Sequence, residues 1–150
     1  MNTILPEHTM LAIAAALLDQ GRSFDRLSRS VTVGALVTLI AIGIFGAAEP
    51  VLGFALTSSI LVGLINLYFS VRVGVDAAIF HHFAAARDEP VDLKGLDDAL
   101  KEMGLLAASK AGRPLNARII GARRLLICQI YVTLLQVALF LLGAIYAVIM

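Results

Sequence analysis

Two apolar runs, residues 31–48 and 51–72, are separated only by Glu49 and Pro50, and that gap constrains the chain more than any other feature. A helix that crosses a hydrocarbon core about 30 Å thick needs about 20 residues, close to the length of each run. Two residues leave no room for a crossover connection, so the pair must form an antiparallel helical hairpin. Pro50 suits its place, because at the first position of a helix its missing N–H removes no intrahelical hydrogen bond. A third run of comparable character covers residues 124–148.

Composition supports the same reading. The chain is 59% hydrophobic and 15% charged, against roughly 25% charged in ordinary soluble domains. The expected fold class is an all-α integral membrane protein, a single domain over residues 1–150 with three transmembrane helices, an antiparallel hairpin plus a third span. Residues 1–30 are expected to supply an interfacial helix and a linker, and residues 73–123 a cytoplasmic helix extension and loop.

Orientation follows from the twelve Lys and Arg residues. Arg22, Arg26 and Arg29 precede the first span, Arg72 ends the second, and the other eight lie between the second and third. None lies in the hairpin turn or after the third span. The positive-inside rule predicts a cytoplasmic N-terminus, a cytoplasmic long loop and an external C-terminus, with a bacterial plasma (inner) membrane as the expected location. The apolar middle of the first twenty-one residues has no Lys or Arg before it and no clear cleavage pattern after it, so a removable signal peptide is not expected.

Two further helices are too short to span. Residues 9–20 place Met10, Ile13, Leu17 and Leu18 on one face and Ala12, Ala15 and Ala16 on a smaller one, with Gly21 as a stop; this predicts a helix lying in the inner interface. In "VDLKGLDDALKEMGLL", Leu93, Leu96, Leu100 and Met103 recur at helical spacing while Asp97, Asp98, Lys101 and Glu102 fall largely elsewhere. This predicts a short amphipathic cytoplasmic helix capped by Asp92 and ended by Gly104. The segment "SKAGRPLNAR" then reads as a polar link to the third span.

Polar residues inside the spans form stripes. Ala55, Ser59, Gly63, Asn66, Ser70, Gly74 and Ala77 share an arc of about 100° on the second span, and Gln129, Thr133, Gln136, Phe140 and Gly143 repeat at spacings of four and three on the third. Small residues let helices approach, and amides then bond across the interface. Asn66 lies about 22 Å from Val51 at 1.5 Å per residue, and Thr133 the same distance from Val148. Asn66 is therefore expected to meet Thr133, Gln129 or Gln136, with Ser59 and Ser70 in the same contact.

Arg72 and Asp76 lie on another face, one turn apart, about 32 Å from Val51. That depth is the far boundary of the hydrocarbon, which predicts an interfacial anchor pair. Arg113, Arg118, Arg123 and Arg124 precede the third span, where each can attract an anionic leaflet by about 1 kcal/mol; they are candidate anionic lipid contacts. Acids nearly match the bases in this loop and no aromatics interleave with the arginines, so nucleic acid is not an expected partner.

Catalytic signals are sparse. His81 and His82 are adjacent and point about 100° apart on a helix, which does not suit chelation of one metal. The single cysteine, Cys128, sits in an apolar run and reads as a small buried hydrophobe. No GxSxG, HExxH or phosphate-binding glycine loop occurs, and neither a catalytic residue nor a cofactor is expected. The plan of an interfacial helix plus three crossings is similar to that of small bacterial diacylglycerol kinases, a resemblance of architecture alone, because the acids such kinases use for metal and base have no counterparts in these spans. The expectation is a non-enzymatic membrane protein, a subunit or accessory factor of a larger membrane assembly, whose partners are the lipid bilayer and other membrane subunits or further copies of itself. The alternative is a homo-oligomeric channel or small transporter lined by the stripes of the second and third spans.

Overall fold

The computed structural model describes residues 7–45, 49–86, 92–104 and 112–149. They form five helices and, among the described residues, no strand: α1 (Glu7–Asp19), α2 (Gly21–Phe45), α3 (Pro50–Ala85), α4 (Leu93–Glu102) and α5 (Leu115–Ile149). The stretch Glu7–Phe45 and the helices α3 and α5 are each long and apolar enough to cross a membrane.

Glu49 has an extended backbone and Pro50 opens α3, so α2 and α3 form the hairpin that the two-residue gap requires. At 1.5 Å per residue the 36 residues of α3 span about 54 Å and the 35 of α5 about 52 Å. Both exceed a hydrocarbon core by some 20 Å. The C-terminal part of α3 and the N-terminal part of α5 lie together, and α1 packs against both. Leu11, Ala14, Ala15 and Leu18 of α1 bury against Val73, Ala77 and Phe80 of α3 and Ala122 and Leu126 of α5. A second apolar cluster at the other end joins Ala35 of α2 to Leu52 and Leu56 of α3, with Phe140 and Tyr146 of α5 beside them.

Several elements differ from the sequence reading. Residues 22–30 are not a linker but the first turns of α2. Nothing in "RSFDRLSRS" breaks a helix, and an Arg29–Asp25 ion pair of 2.7 Å on successive turns supports it. Helix α1 ends at Asp19, next to the expected stop, and Gly21, which opens α2, is also a point of close approach. A Cβ there would lie 2.9 Å from Oε1 of Gln129 and 3.0 Å from Cγ1 of Val73. The face of α1 that packs holds Leu11 and Ala14 rather than Ile13 and Leu17, which point outward, because the small alanines let α1 lie close to α3. Helix α5 starts at Leu115, inside the expected polar link, with the carbonyl of Pro114 accepting the N–H groups of Ala117 and Arg118.

Helix α4 has the expected ends. Oδ1 of Asp92 accepts the N–H of Gly95 at 2.9 Å, and Gly104 adopts a left-handed φ of 69°, which glycine reaches without steric penalty. Asp97, read as part of the polar face, is instead covered.

Candidate functional site

The interior of α2, α3 and α5 follows a repeat of four and three residues, the spacing that keeps helices in contact along their length. On α5 the buried positions include Leu115, Ala122, Leu126, Gln129, Thr133, Gln136 and Gly143; on α3 they include Leu52, Leu56, Ser59, Gly63, Asn66, Val73, Ala77 and Phe80. On α2 only Gly21, Ser28 and Ala35 are fully buried, at intervals of one heptad.

Between the two apolar clusters this seam is polar. Ser59, Asn66, Gln129, Thr133 and Gln136 all have 0% exposure. Gln136 joins three helices. Its Nε2 donates to the carbonyl of Ser28 at 3.1 Å and to Oγ1 of Thr32 at 2.8 Å, and its Oε1 accepts from Oγ of Ser28 at 2.5 Å. Its backbone carbonyl accepts from Oγ of Ser59 on α3 at 3.2 Å. One heptad earlier, Nε2 of Gln129 donates to the carbonyl of Gly21 at 3.0 Å. The same contact is made twice, an amide on α5 donating to the backbone of α2, which runs parallel to it. Gly63 leaves the space that this network fills, since a Cβ there would collide with Oγ1 of Thr32 and lie 2.6 Å from Nε2 of Gln136.

Asn66 lacks the interhelical hydrogen bond expected of it. Neither of its side-chain polar atoms has a hydrogen-bond partner, and Oε1 of Gln129 is also unpaired. The hydroxyl of Thr133 turns back to the carbonyl of Gln129 on its own helix at 2.9 Å. Both glutamines reach α2, because the small residues Gly21 and Ser28 bring its backbone close. Ser70 is half-buried, and Gly74 lies open with nothing near its Cβ position; Val73 takes the seam position instead. Ser28, Thr32 and Gly21 were missed in the sequence, although the heptad Gly21, Ser28, Ala35 of small residues was there to read.

A groove lies where the polar seam gives way to the α1 end. It has a volume of about 350 Å³, with Arg72 and Asp76 of α3, Leu96 and Leu100 of α4 and Arg113 and Arg118 near the start of α5 among its lining residues. Arg72 and Asp76 do not close an ion pair, the described salt bridges being elsewhere; both face the groove, and Asp76 lies within electrostatic reach of Arg72 and Arg118.

Arg118 is held from two sides. Its Nη2 donates to Oδ1 of Asp97 at 2.6 Å and its Nε to the carbonyl of Arg113 at 3.1 Å, and its side chain is only 14% exposed. Of the four candidate anionic-lipid contacts, Arg118 is thus paired within the fold, while Arg113, Arg123 and Arg124 are exposed. Oδ2 of Asp97 accepts the N–H of Gly112 at 2.8 Å. That backbone bond first, and the Arg118 guanidinium next, hold the Asp97 carboxyl below the usual carboxylate range.

The histidines tie α1 to α3. Nδ1 of His8 lies 3.0 Å from the carbonyl of Phe83, and Nε2 of His81 lies 2.7 Å from Oδ2 of Asp19. A cavity of about 570 Å³ between α1, α3 and α4 is lined by His8, His82, Phe83, Asp92 and Leu96 among others. Among the described residues no three His, Cys, Asp or Glu side chains are grouped to hold a metal ion. Comparison with protein-family models, with curated proteins and with solved structures gave no match.

Proposed function

We propose that this chain is a non-enzymatic integral membrane protein of a bacterial plasma membrane, acting as a subunit or accessory factor of a larger membrane assembly. The observation that carries the reading is how the polar groups of the long helices are used. Gln136, Gln129, Ser59 and Thr133 are fully buried and bonded to neighbouring helices or to their own, while Val33, Val37, Ile40, Ile44, Leu61, Leu64, Leu134 and Leu141 face outward. An apolar skin around a largely buried polar seam suits lipid or a membrane-embedded partner. The N-terminus and the α3–α5 connection belong on the cytoplasmic side by their arginines and lysines.

The alternative, a homo-oligomeric channel or small transporter, needs the stripes of α3 and α5 to face a lumen, and their burial against each other counts against it. Purification in mild detergent followed by mass measurement tests the assembly reading. A fixed ratio of this chain to a second membrane protein is the expected result, and a lone monomer contradicts it. A reporter fused after Met150 should behave as external and one inserted near Gly95 as internal.

A further inference from the structure

We propose that the groove between α3, α4 and the start of α5 binds the headgroup of an anionic phospholipid, one that carries hydroxyl donors beside its phosphate. The proposal rests on the membrane reading of the three long helices and not on the assembly.

Three features of the groove point to this ligand. The first is charge. Arg72, Arg113 and Arg118 line it against the single carboxylate of Asp76. Asp97, behind Arg118, offsets one arginine, so the groove keeps a net positive charge. The second is pre-organisation. Arg118 is fixed by Asp97 and by the Arg113 carbonyl through Nη2 and Nε, and among the described residues nothing engages Nη1. A guanidinium held in place loses little freedom on binding phosphate. The third is the join between polar and apolar lining. Ile79, Phe80, Leu96, Leu100 and Leu125 continue the groove beside the arginines, as an amphipathic ligand with a charged head and acyl chains requires.

Depth agrees with these features. Arg72 stands about 32 Å along α3 from Val51, at the level of the far headgroups if α3 crosses the bilayer. Asp76 would repel a bare phosphate, but beside bound phosphate its carboxylate can accept from a headgroup hydroxyl, as in phosphatidylglycerol. The general attraction of basic residues to an anionic leaflet does not distinguish these arginines from Arg123 and Arg124, so the test must.

The full chain is purified in detergent, and phosphatidylglycerol is offered in competition with phosphatidylcholine, the retained lipid being counted by native mass spectrometry. The wild type should retain one phosphatidylglycerol with about a tenfold preference, the scale of one net hydrogen bond to a charged group. Arg72→Gln with Arg113→Gln should abolish the preference. Both side chains are exposed, so the fold should survive, as helical circular dichroism will check. Arg123→Gln with Arg124→Gln should leave the preference within about twofold. Equal retention of the two lipids, an equal loss in the Arg123 and Arg124 variant, or displacement of the lipid by inorganic phosphate alone would each overturn the proposal. Resistance of the cell-expressed chain to alkaline extraction is scored separately, so a failure of the membrane reading is told apart from a failure of the groove.

Discussion

Between Ser28 and Ala35 on α2 the interior of the bundle is filled with serine, threonine and glutamine, while Leu36, Val37 and Ile40 face outward. At the α1 end the interior is apolar, and the surface mixes charged side chains with outward-facing Ile13, Leu17 and Ile120. Leu11, Leu18, Val73, Ala77 and Phe80 fill the interior, and Arg72, His81, His82, Arg123 and Arg124 are on the surface. Among lipid tails the hydrophobic effect gives two helices no reason to associate, so close packing and interhelical hydrogen bonds must hold them. In water the burial of apolar surface does the same work. The core changes from polar to apolar between Asn66 and Val73 on α3 and between Gln129 and Leu126 on α5. That is the level at which the surroundings of a membrane protein would change, and Arg72 and the arginine-lined groove lie there.

The largest effect that separates the halves is expected at two glycines of one helix. Gly63→Ala places a methyl group against Thr32 and Gln136 and should destabilise the fold by about 3 kcal/mol, through overpacking and broken hydrogen bonds. Gly74→Ala meets nothing within 4 Å and should stabilise α3 by about 0.5 to 1 kcal/mol through helix propensity. Unfolding in a detergent titration compares the two, and equal destabilisation would dissolve the distinction.

Within the polar half, Gln136→Leu removes the side-chain bonds to Ser28 and Thr32 and should cost about 2 kcal/mol. Asn66→Leu removes an amide with no bond to lose, so it should be neutral or stabilising by up to about 1 kcal/mol. The same titration checks both. An Asn66→Leu loss as large as that of Gln136→Leu would mean that Asn66 is bonded after all.

At the α1 end the expected effects are smaller and depend on pH. The Asp97 carboxyl is lowered by its bonds to Gly112 and Arg118, so its contribution to holding α4 is complete above the ordinary carboxylate value of about 3.9 and is lost as pH falls through the lower folded value. Hydrogen exchange should find α4 protected at pH 6 and opening below about pH 4, with α3 near Gln136 unaffected; opening of both together would deny the halves their independence. The pair of His81 and Asp19 is exposed, and His81→Ala should shift stability by less than about 1 kcal/mol.

Much of the polar seam could be read from sequence. The spacing Gln129, Thr133, Gln136, Phe140, Gly143 marks the inner face of α5, and Ser59, Gly63 and Asn66 mark that of α3. The stripe failed at Gly74 because residues were chosen as small or polar; Val73 falls in the same arc and is the buried one, since the core is apolar at that level. The role of α2 was hidden by Arg22, Asp25, Arg26 and Arg29, whose charges made a helical segment resemble a linker. No local signal joins Asp97 to Arg118, twenty-one residues on, so the ion pair that fixes the groove was beyond a reading by period. The hydrogen bond expected of Asn66 is absent, because depth does not say which of two neighbouring helices a glutamine will choose, and both glutamines bond to α2.

Exclusion of water from the polar seam can be measured directly. Single cysteines at Ser59, Thr133 and Ala85, each in a Cys128→Ala background, are exposed in membrane vesicles to a small water-soluble thiol reagent. Ser59 and Thr133 have no exposed surface, whereas Ala85 is exposed. The cysteine at position 85 should be fully modified while those at 59 and 133 stay unmodified over the same time. Modification at position 133 at a rate approaching that at 85 would mean that water reaches the seam, and would contradict its exclusion.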